Sequence, residues 1–194
     1  MKRVFAIGLL SIIGSFSLAQ LPKDTLTYYT LDKALSASPD TIYAIDLHRE
    51  RLRSVPPSIK KFHHLKGLTL SKNKLEELPA FIKSFHDLQF LYVEKNRFSH
   101  FPAAIFYLSR LKHLNISRNK IGSIPAGIKA LQKLEYLDIW DNRLTRIDDG
   151  LTKLQNLKFI DFRGTTFAPS FVEKWTTAFP NAQVEFDAPC NCLE

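Results

Sequence analysis

Residues 65–87 of the chain read LKGLTLSKNKLEELPAFIKSFHD, and residues 111–133 read LKHLNISRNKIGSIPAGIKALQK. Both segments are 23 residues long and carry aliphatic residues, an asparagine and a proline at the same places. A fixed period of twenty-odd residues is typical of a solenoid, in which each unit buries its apolar face against its neighbours. The pattern occurs six times without an insertion, and its units start at Ile42, Leu65, Leu88, Leu111, Leu134 and Leu157.

Each position of the unit has a structural interpretation. The fourth and sixth positions are apolar and alternate with polar residues, which predicts a short parallel strand buried on one side. Apolar residues three apart, such as Ile82 and Phe85, predict a helical or 3₁₀ turn, and the preceding Pro79 would start it. The ninth position holds an asparagine such as Asn73 in units two to five, with Glu50 and Thr165 in its place in the first and sixth units. A buried amide would need backbone partners, which favours a structural rather than a catalytic role.

These units resemble the leucine-rich repeat in its 23-residue form, LxxLxLxxNxLxxLPxxIxxLxx, from Ile42 to about Phe167. The resemblance implies an α/β solenoid, an arc with parallel β-strands on its concave face and short helical or 3₁₀ turns on its convex face. It also implies that the ninth-position asparagines hydrogen-bond the backbone of neighbouring turns. A secreted bacterial protein of this family is the expectation.

The first residues predict export. Lys2 and Arg3 precede an apolar run from Val4 to Leu18, and Ser17-Leu18-Ala19 supplies small residues for cleavage before Gln20. This pattern is typical of a secretory signal peptide over residues 1–19, cleaved after Ala19. A retained membrane anchor is the alternative, but the run is shorter than the ~20 residues that a spanning helix needs. We therefore expect a secreted or periplasmic protein without stable membrane insertion after cleavage.

The remaining segments flank the repeats of residues 42–167. Residues 20–41 are expected to form an N-terminal cap with a short helix after Thr30. Residues 168–194 are expected to form a C-terminal cap, a helix after Pro169 followed by a strand, and a Cys-x-Cys tail. The two cysteines, Cys190 and Cys192, cannot form a disulfide framework, and their oxidation state stays open.

The third, fifth and seventh positions of each unit are expected to face solvent on the concave side, about 4.8 Å apart from unit to unit. Several of these side chains are aromatic, with charged residues beside them, a composition typical of protein-binding hot spots. The alternative is that the rings cover one another as cross-strand neighbours. We predict that a protein or peptide binds on the concave face through Phe90, Tyr92, Glu94, His113, Tyr136, Asp138, Trp140, Phe159, Asp161 and Arg163.

A row of cations follows the strands. The chain has a formal net charge of +8. A basic surface of this kind either attracts anionic partners or only keeps the protein soluble. An alternative function is therefore the binding of an anionic glycan or other polyanion, with a role in surface attachment. Export argues against nucleic acid as the polymer. The candidate residues of this basic edge are Arg49, Arg51, Lys72, Lys74, Lys95, Arg97, Arg118, Lys120 and Arg143.

The sequence gives no argument for an enzyme. It contains no glycine-rich phosphate loop, no pair of Cys-x-x-Cys motifs and no G-x-S-x-G motif. His48 and His113 share the concave face but are three repeats apart, about 14 Å, too far for one acid–base pair. We expect no catalytic residue, cofactor or metal site, and a non-enzymatic binding module.

Overall fold

The computed structural model describes residues 24–187. The predicted signal peptide and both cysteines lie outside these residues. Within them, eight strands form one sheet in which every neighbouring pair is parallel. The strands of this sheet are β1 (Tyr29–Thr30), β2 (Ala44–Asp46), β3 (Gly67–Thr69), β4 (Phe90–Tyr92), β5 (His113–Asn115), β7 (Tyr136–Asp138), β9 (Phe159–Asp161) and β10 (Gln183–Glu185).

Strands β2 to β9 of this sheet pair in the register that the period predicts. Gly67 lies opposite Ala44 on one side and Phe90 on the other, one unit away in each direction. The same step continues to Phe159. The third, fifth and seventh positions therefore form columns across the concave face.

The convex side carries the expected 3₁₀ turns. Each follows the fifteenth position of its unit, which is proline in the first four units. In the fifth unit Asp148 takes this place, and its side chain accepts the Gly150 N–H at 2.8 Å. The turns are Pro57–Lys61, Ala80–Ser84, Ala103–Tyr107, Ala126–Ala130 and Asp149–Lys153, with a shorter one at Pro39–Thr41. A second small sheet pairs β6 (Ser123–Ile124) with β8 (Arg146–Ile147).

The apolar slots of the repeat fill one continuous core between the sheet and the turns. Short helix α1 (Leu31–Leu35) closes its first end and buries Ala34. Helix α2 (Pro169–Ala178) closes the other end and buries Trp175. Phe167 stacks on Phe171 there, with ring centroids 4.2 Å apart. These terminal elements shield apolar faces that a solenoid would otherwise expose.

The asparagines form the ladder that the resemblance implied. The Asn73 side chain donates to the carbonyl oxygens of Leu47 at 2.8 Å and Leu70 at 2.9 Å. Its Oδ1 accepts the Leu52 N–H at 2.9 Å, so one side chain binds its own turn and the preceding unit. The same arrangement recurs at Asn96, Asn119 and Asn142. The predicted solenoid is confirmed.

Across residues 24–187 there is no helix with the length and apolar composition needed to cross a membrane.

Candidate functional site

Four rings stand in one column on the concave face, at the third positions of units three to six. Phe90 and His113 have centroids 4.8 Å apart, and His113 stacks on Tyr136 at 4.4 Å. Phe159 follows Tyr136 in register. Phe90, Tyr136 and Phe159 are half-buried and His113 is buried, so the rings partly cover one another while keeping apolar surface open. Burial lowers the pKa of His113, which keeps its ring neutral at neutral pH.

The fifth-position residues have a role that the sequence reasoning missed. Asp46, Asn115, Asp138 and Asp161 each accept the backbone N–H two residues further on, at 2.8 to 3.2 Å. This is the turn that Asp and Asn side chains make with their own backbone, and it ends each strand. The expectation that Asp138 and Asp161 face solvent was wrong, because they are 2% and 0% exposed. The same expectation was wrong for His113 at the third position, which is 9% exposed. The sequence signal for this turn was the Asp or Asn residue at the end of each of these predicted strands.

Asp138 and Asp161 form a buried pair of carboxyl groups with unequal partners. Arg163 donates to both oxygens of Asp161, at 2.9 and 2.6 Å. Oδ2 of Asp138 has no hydrogen-bond partner among residues 24–187. Burial and the neighbouring Asp161 raise the pKa of Asp138 to about 7. Asp138 is therefore mostly protonated and uncharged below neutral pH.

The beginning of the described chain lies on the concave face, which the sequence reasoning did not foresee. The Asp24 carboxylate accepts hydrogen bonds from the hydroxyl groups of Tyr28 at 2.8 Å and Tyr92 at 3.0 Å. A Cβ added to Gly67 would lie 2.5 Å from the Tyr28 hydroxyl oxygen and 2.9 Å from Leu26 Cδ1. Residues 24–28, the N-terminal strap, thus cover Gly67. Only a glycine among larger third-position residues hinted at this.

The structure brings together some of the predicted binding residues and separates others. Tyr92 points to the strap, and burial and Asp24 raise its pKa, so its hydroxyl stays a donor at neutral pH. Glu94 accepts the side-chain amide of Asn115 at 2.9 Å. Trp140 lies under the Arg118 guanidinium, 5.0 Å from its ring centroid, and so joins the concave face to the basic edge.

The basic edge has an unusual backbone. The eighth position of every unit is left-handed, with φ between 52° and 78°, a conformation that favours glycine and asparagine. Cations occupy it in the first four units, Asp141 in the fifth and Gly164 in the sixth. Some edge cations are paired, since Arg118 lies 3.6 Å from Asp141 and Arg97 lies 4.0 Å from Glu76. The tenth-position cations are all exposed.

No cluster of three or more His, Cys, Asp and Glu side chains in the described part of the chain could hold a metal ion.

A family model described as a leucine-rich repeat region matches residues 46–184, most of the solenoid. The chain belongs to the leucine-rich-repeat family. This confirms the resemblance drawn from the 23-residue unit, and members of the family are commonly protein-binding modules rather than enzymes.

Solved leucine-rich-repeat structures share the arc. A leucine-rich-repeat protein of Leptospira interrogans is 27% identical, with a TM-score of 0.65 over 75% of this chain. Internalin C2 of Listeria monocytogenes is 21% identical, with a TM-score of 0.65 over 76% of this chain and 62% of its own. A plant peptide hormone receptor is 21% identical, with a TM-score of 0.57 over 70% of this chain and 22% of its own.

The chain spans 36% of the length of the Leptospira protein, so that protein is considerably longer than the region it shares with this one. No curated protein sequence matches the chain at a significant level.

Proposed function

We propose that this leucine-rich-repeat protein is a non-enzymatic binding module that holds a protein or peptide on the concave face of units three to six. One observation carries the proposal: the half-buried ring column of Phe90, Tyr136 and Phe159, with Trp140 beside it. Phe90 and Tyr136 are already held by stacking on His113 and therefore lose little conformational freedom on binding. Aromatic side chains are enriched at protein interfaces, and Tyr and Trp are enriched among the residues that contribute most to binding.

Charged groups at the margin of the ring column support the same proposal. Glu94 and Arg163 are partly exposed and lie at the seventh position of units three and six. Polar side chains around an apolar centre form the rim of many interfaces and supply hydrogen bonds. Export from a bacterium, with a chain that starts at Gln20, belongs to this proposal, and N-terminal sequencing of the protein from its source tests it.

Replacing Tyr136 and Trp140 together by alanine should remove capture of the partner in a crosslinking pull-down from the native source. The far-UV circular dichroism spectrum should stay unchanged, because both side chains lie on the surface of the sheet. Tyr107→Ala is the matched control, since Tyr107 is 63% exposed on the convex side. Equal capture by the double variant and the control would refute concave binding.

The basic edge favours a second candidate function, binding of an anionic glycan or other polyanion. Arg49, Lys72, Lys95 and Arg118 occupy left-handed positions, where a non-glycine residue costs roughly 1 kcal/mol. Four cations at such positions in consecutive units are the supporting observation. The test is elution from a heparin column, where neutral variants of Lys74, Arg97 and Lys120 should elute at clearly lower salt. Neutral variants of Lys129, Lys133 and Lys153, on the convex side, are the control with equal charge change.

A further inference from the structure

The N-terminal strap lies on the concave face as a bound peptide would. Asp24, Leu26 and Tyr28 are half-buried, whereas Thr25 and Thr27 between them are exposed. This alternation is that of an extended segment with one side toward a surface. Extended peptides bound to proteins use the same arrangement, with alternate side chains in contact.

The surface beneath the strap is shaped for it. The third-position column holds Ala44 and Gly67 in the first two units and changes to the Phe90 ring in the third. The small residues leave a groove that Leu26 and the Tyr28 hydroxyl fill. The Tyr92 hydroxyl, at the side of this groove, donates to the Asp24 carboxylate at 3.0 Å.

Side chains provide the contacts that hold the strap. Pairing with the sheet begins only at Tyr29, opposite Ile45. Within the strap, the Leu26 N–H is bonded to the Asp24 side chain at 3.1 Å, and Tyr28 is bonded to the same carboxylate. The single hydrogen bond from the strap side chains to the repeats is that of Asp24 with Tyr92, as far as residues 24–187 show. A segment with so few hydrogen bonds to the rest of the fold opens at a low free-energy cost.

We propose that the groove over Gly67 is a binding site for an extended peptide of a partner protein, in which an acidic residue precedes an aliphatic residue by two positions and a tyrosine by four. Residues 24–28 are its intramolecular occupant, and the partner peptide displaces them. This deepens the proposed function, on which it rests, by naming a partner chemistry and a second part of the concave face.

The test uses the full chain and a pentapeptide of sequence Asp-Thr-Leu-Thr-Tyr, acetylated and carrying a fluorophore on a C-terminal linker. A strap variant with Asp24→Ala, Leu26→Ala and Tyr28→Ala leaves the groove intact but weakens its own occupant. Fluorescence anisotropy should show at least about tenfold tighter binding of the peptide to the strap variant than to the unchanged chain, because the occupied fraction of the groove lowers apparent affinity.

Two further substitutions, each made in the strap variant, identify the site. Gly67→Leu should abolish binding of the peptide, because its side chain fills the space of Leu26. Gly122→Leu should have no effect, because a Cβ there meets nothing within 4 Å. Tyr92→Phe should weaken binding by about tenfold through loss of a charge-assisted hydrogen bond.

Equal affinity for the strap variant and the unchanged chain, or binding that survives Gly67→Leu, would overturn the proposal. So would an unchanged chain that is a dimer with exchanged straps by analytical ultracentrifugation and crosslinking, since a second copy would then be the occupant. The Tyr136 and Trp140 double variant should still bind the peptide after the strap is weakened. The experiments therefore distinguish a refutation of binding at the ring column from a refutation of binding at the Gly67 groove.

Discussion

Asp138→Asn should change how the stability of the protein depends on pH. In the folded protein the pKa of Asp138 is raised to about 7, from an ordinary value of 3.8, by burial first and by Asp161 second. The folded state therefore binds this proton more tightly than the unfolded state does. The stability conferred by the protonated group is complete below about pH 4 and is lost as the pH rises to about 7.

The loss can be estimated from the difference between the two pKa values. About three units at 1.36 kcal/mol each give roughly 4 kcal/mol between pH 4 and pH 8. Asp138 is 2% exposed, so solvent screening reduces this little, although Glu94 and Arg163 act on it in opposite directions. An amide keeps the acceptor for the Trp140 N–H and cannot ionise.

The assay is urea denaturation, followed by intrinsic fluorescence at intervals from pH 4.5 to pH 8.5. The original chain should lose stability toward high pH by several kcal/mol more than Asp138→Asn does, and the variant should be the more stable protein at pH 8. Glu77→Gln, at an exposed side chain, is the control for removing one negative charge. Parallel pH profiles for the original chain and Asp138→Asn would refute the assignment of a proton to this buried carboxyl group.

Asn96→Ala should destabilise the protein by about 3–5 kcal/mol in urea denaturation, because buried backbone groups at Leu70, Leu75 and Val93 lose their partner. The exposed Asn156→Ala, which removes one bond to Gln132, should cost about 1 kcal/mol or less, and equal effects would contradict the ladder. Trp175→Ala should cost about 3–5 kcal/mol by emptying the C-terminal cap, and a change below 1 kcal/mol would show that α2 does not seal the core. Lys95→Asn should raise the denaturation midpoint, corresponding to at most about 1 kcal/mol, since φ there is 52°; a loss of stability would show that the lysine side chain outweighs its backbone strain.

The solenoid could be predicted because the sequence pattern that specifies it repeats with a fixed period. Gly67 and Phe90 have no chemical likeness, yet their places in the unit put them side by side on neighbouring strands. The concave-face strand of each of the six units could be located in this way, whereas the small β6–β8 sheet was not predicted. Asp148 stands at the fifteenth position of the fifth unit, where the first four units have proline. Its role could also be predicted, since both residues suit the start of a turn.

The candidate site was less predictable because it depends on contacts outside the period. The strap belongs to no unit, so nothing in the repeat indicates that Asp24 lies on Tyr92. Alternation along a strand predicts which side a residue faces, but not whether neighbours cover it. Asp161 shows this difference, because it faces the concave side and is fully buried beneath its own hydrogen-bonded turn and Arg163.

The asparagine ladder makes one junction of the solenoid different from the rest. Four side-chain amides join units one to five, but at the next junction Thr165 takes the place and donates a single bond to the Asn142 carbonyl at 3.1 Å. Coupling between neighbouring units sets how cooperatively a repeat protein unfolds. The sixth unit with α2 and β10 should thus open as a separate segment, and its amide hydrogens should exchange with solvent before those of the preceding units.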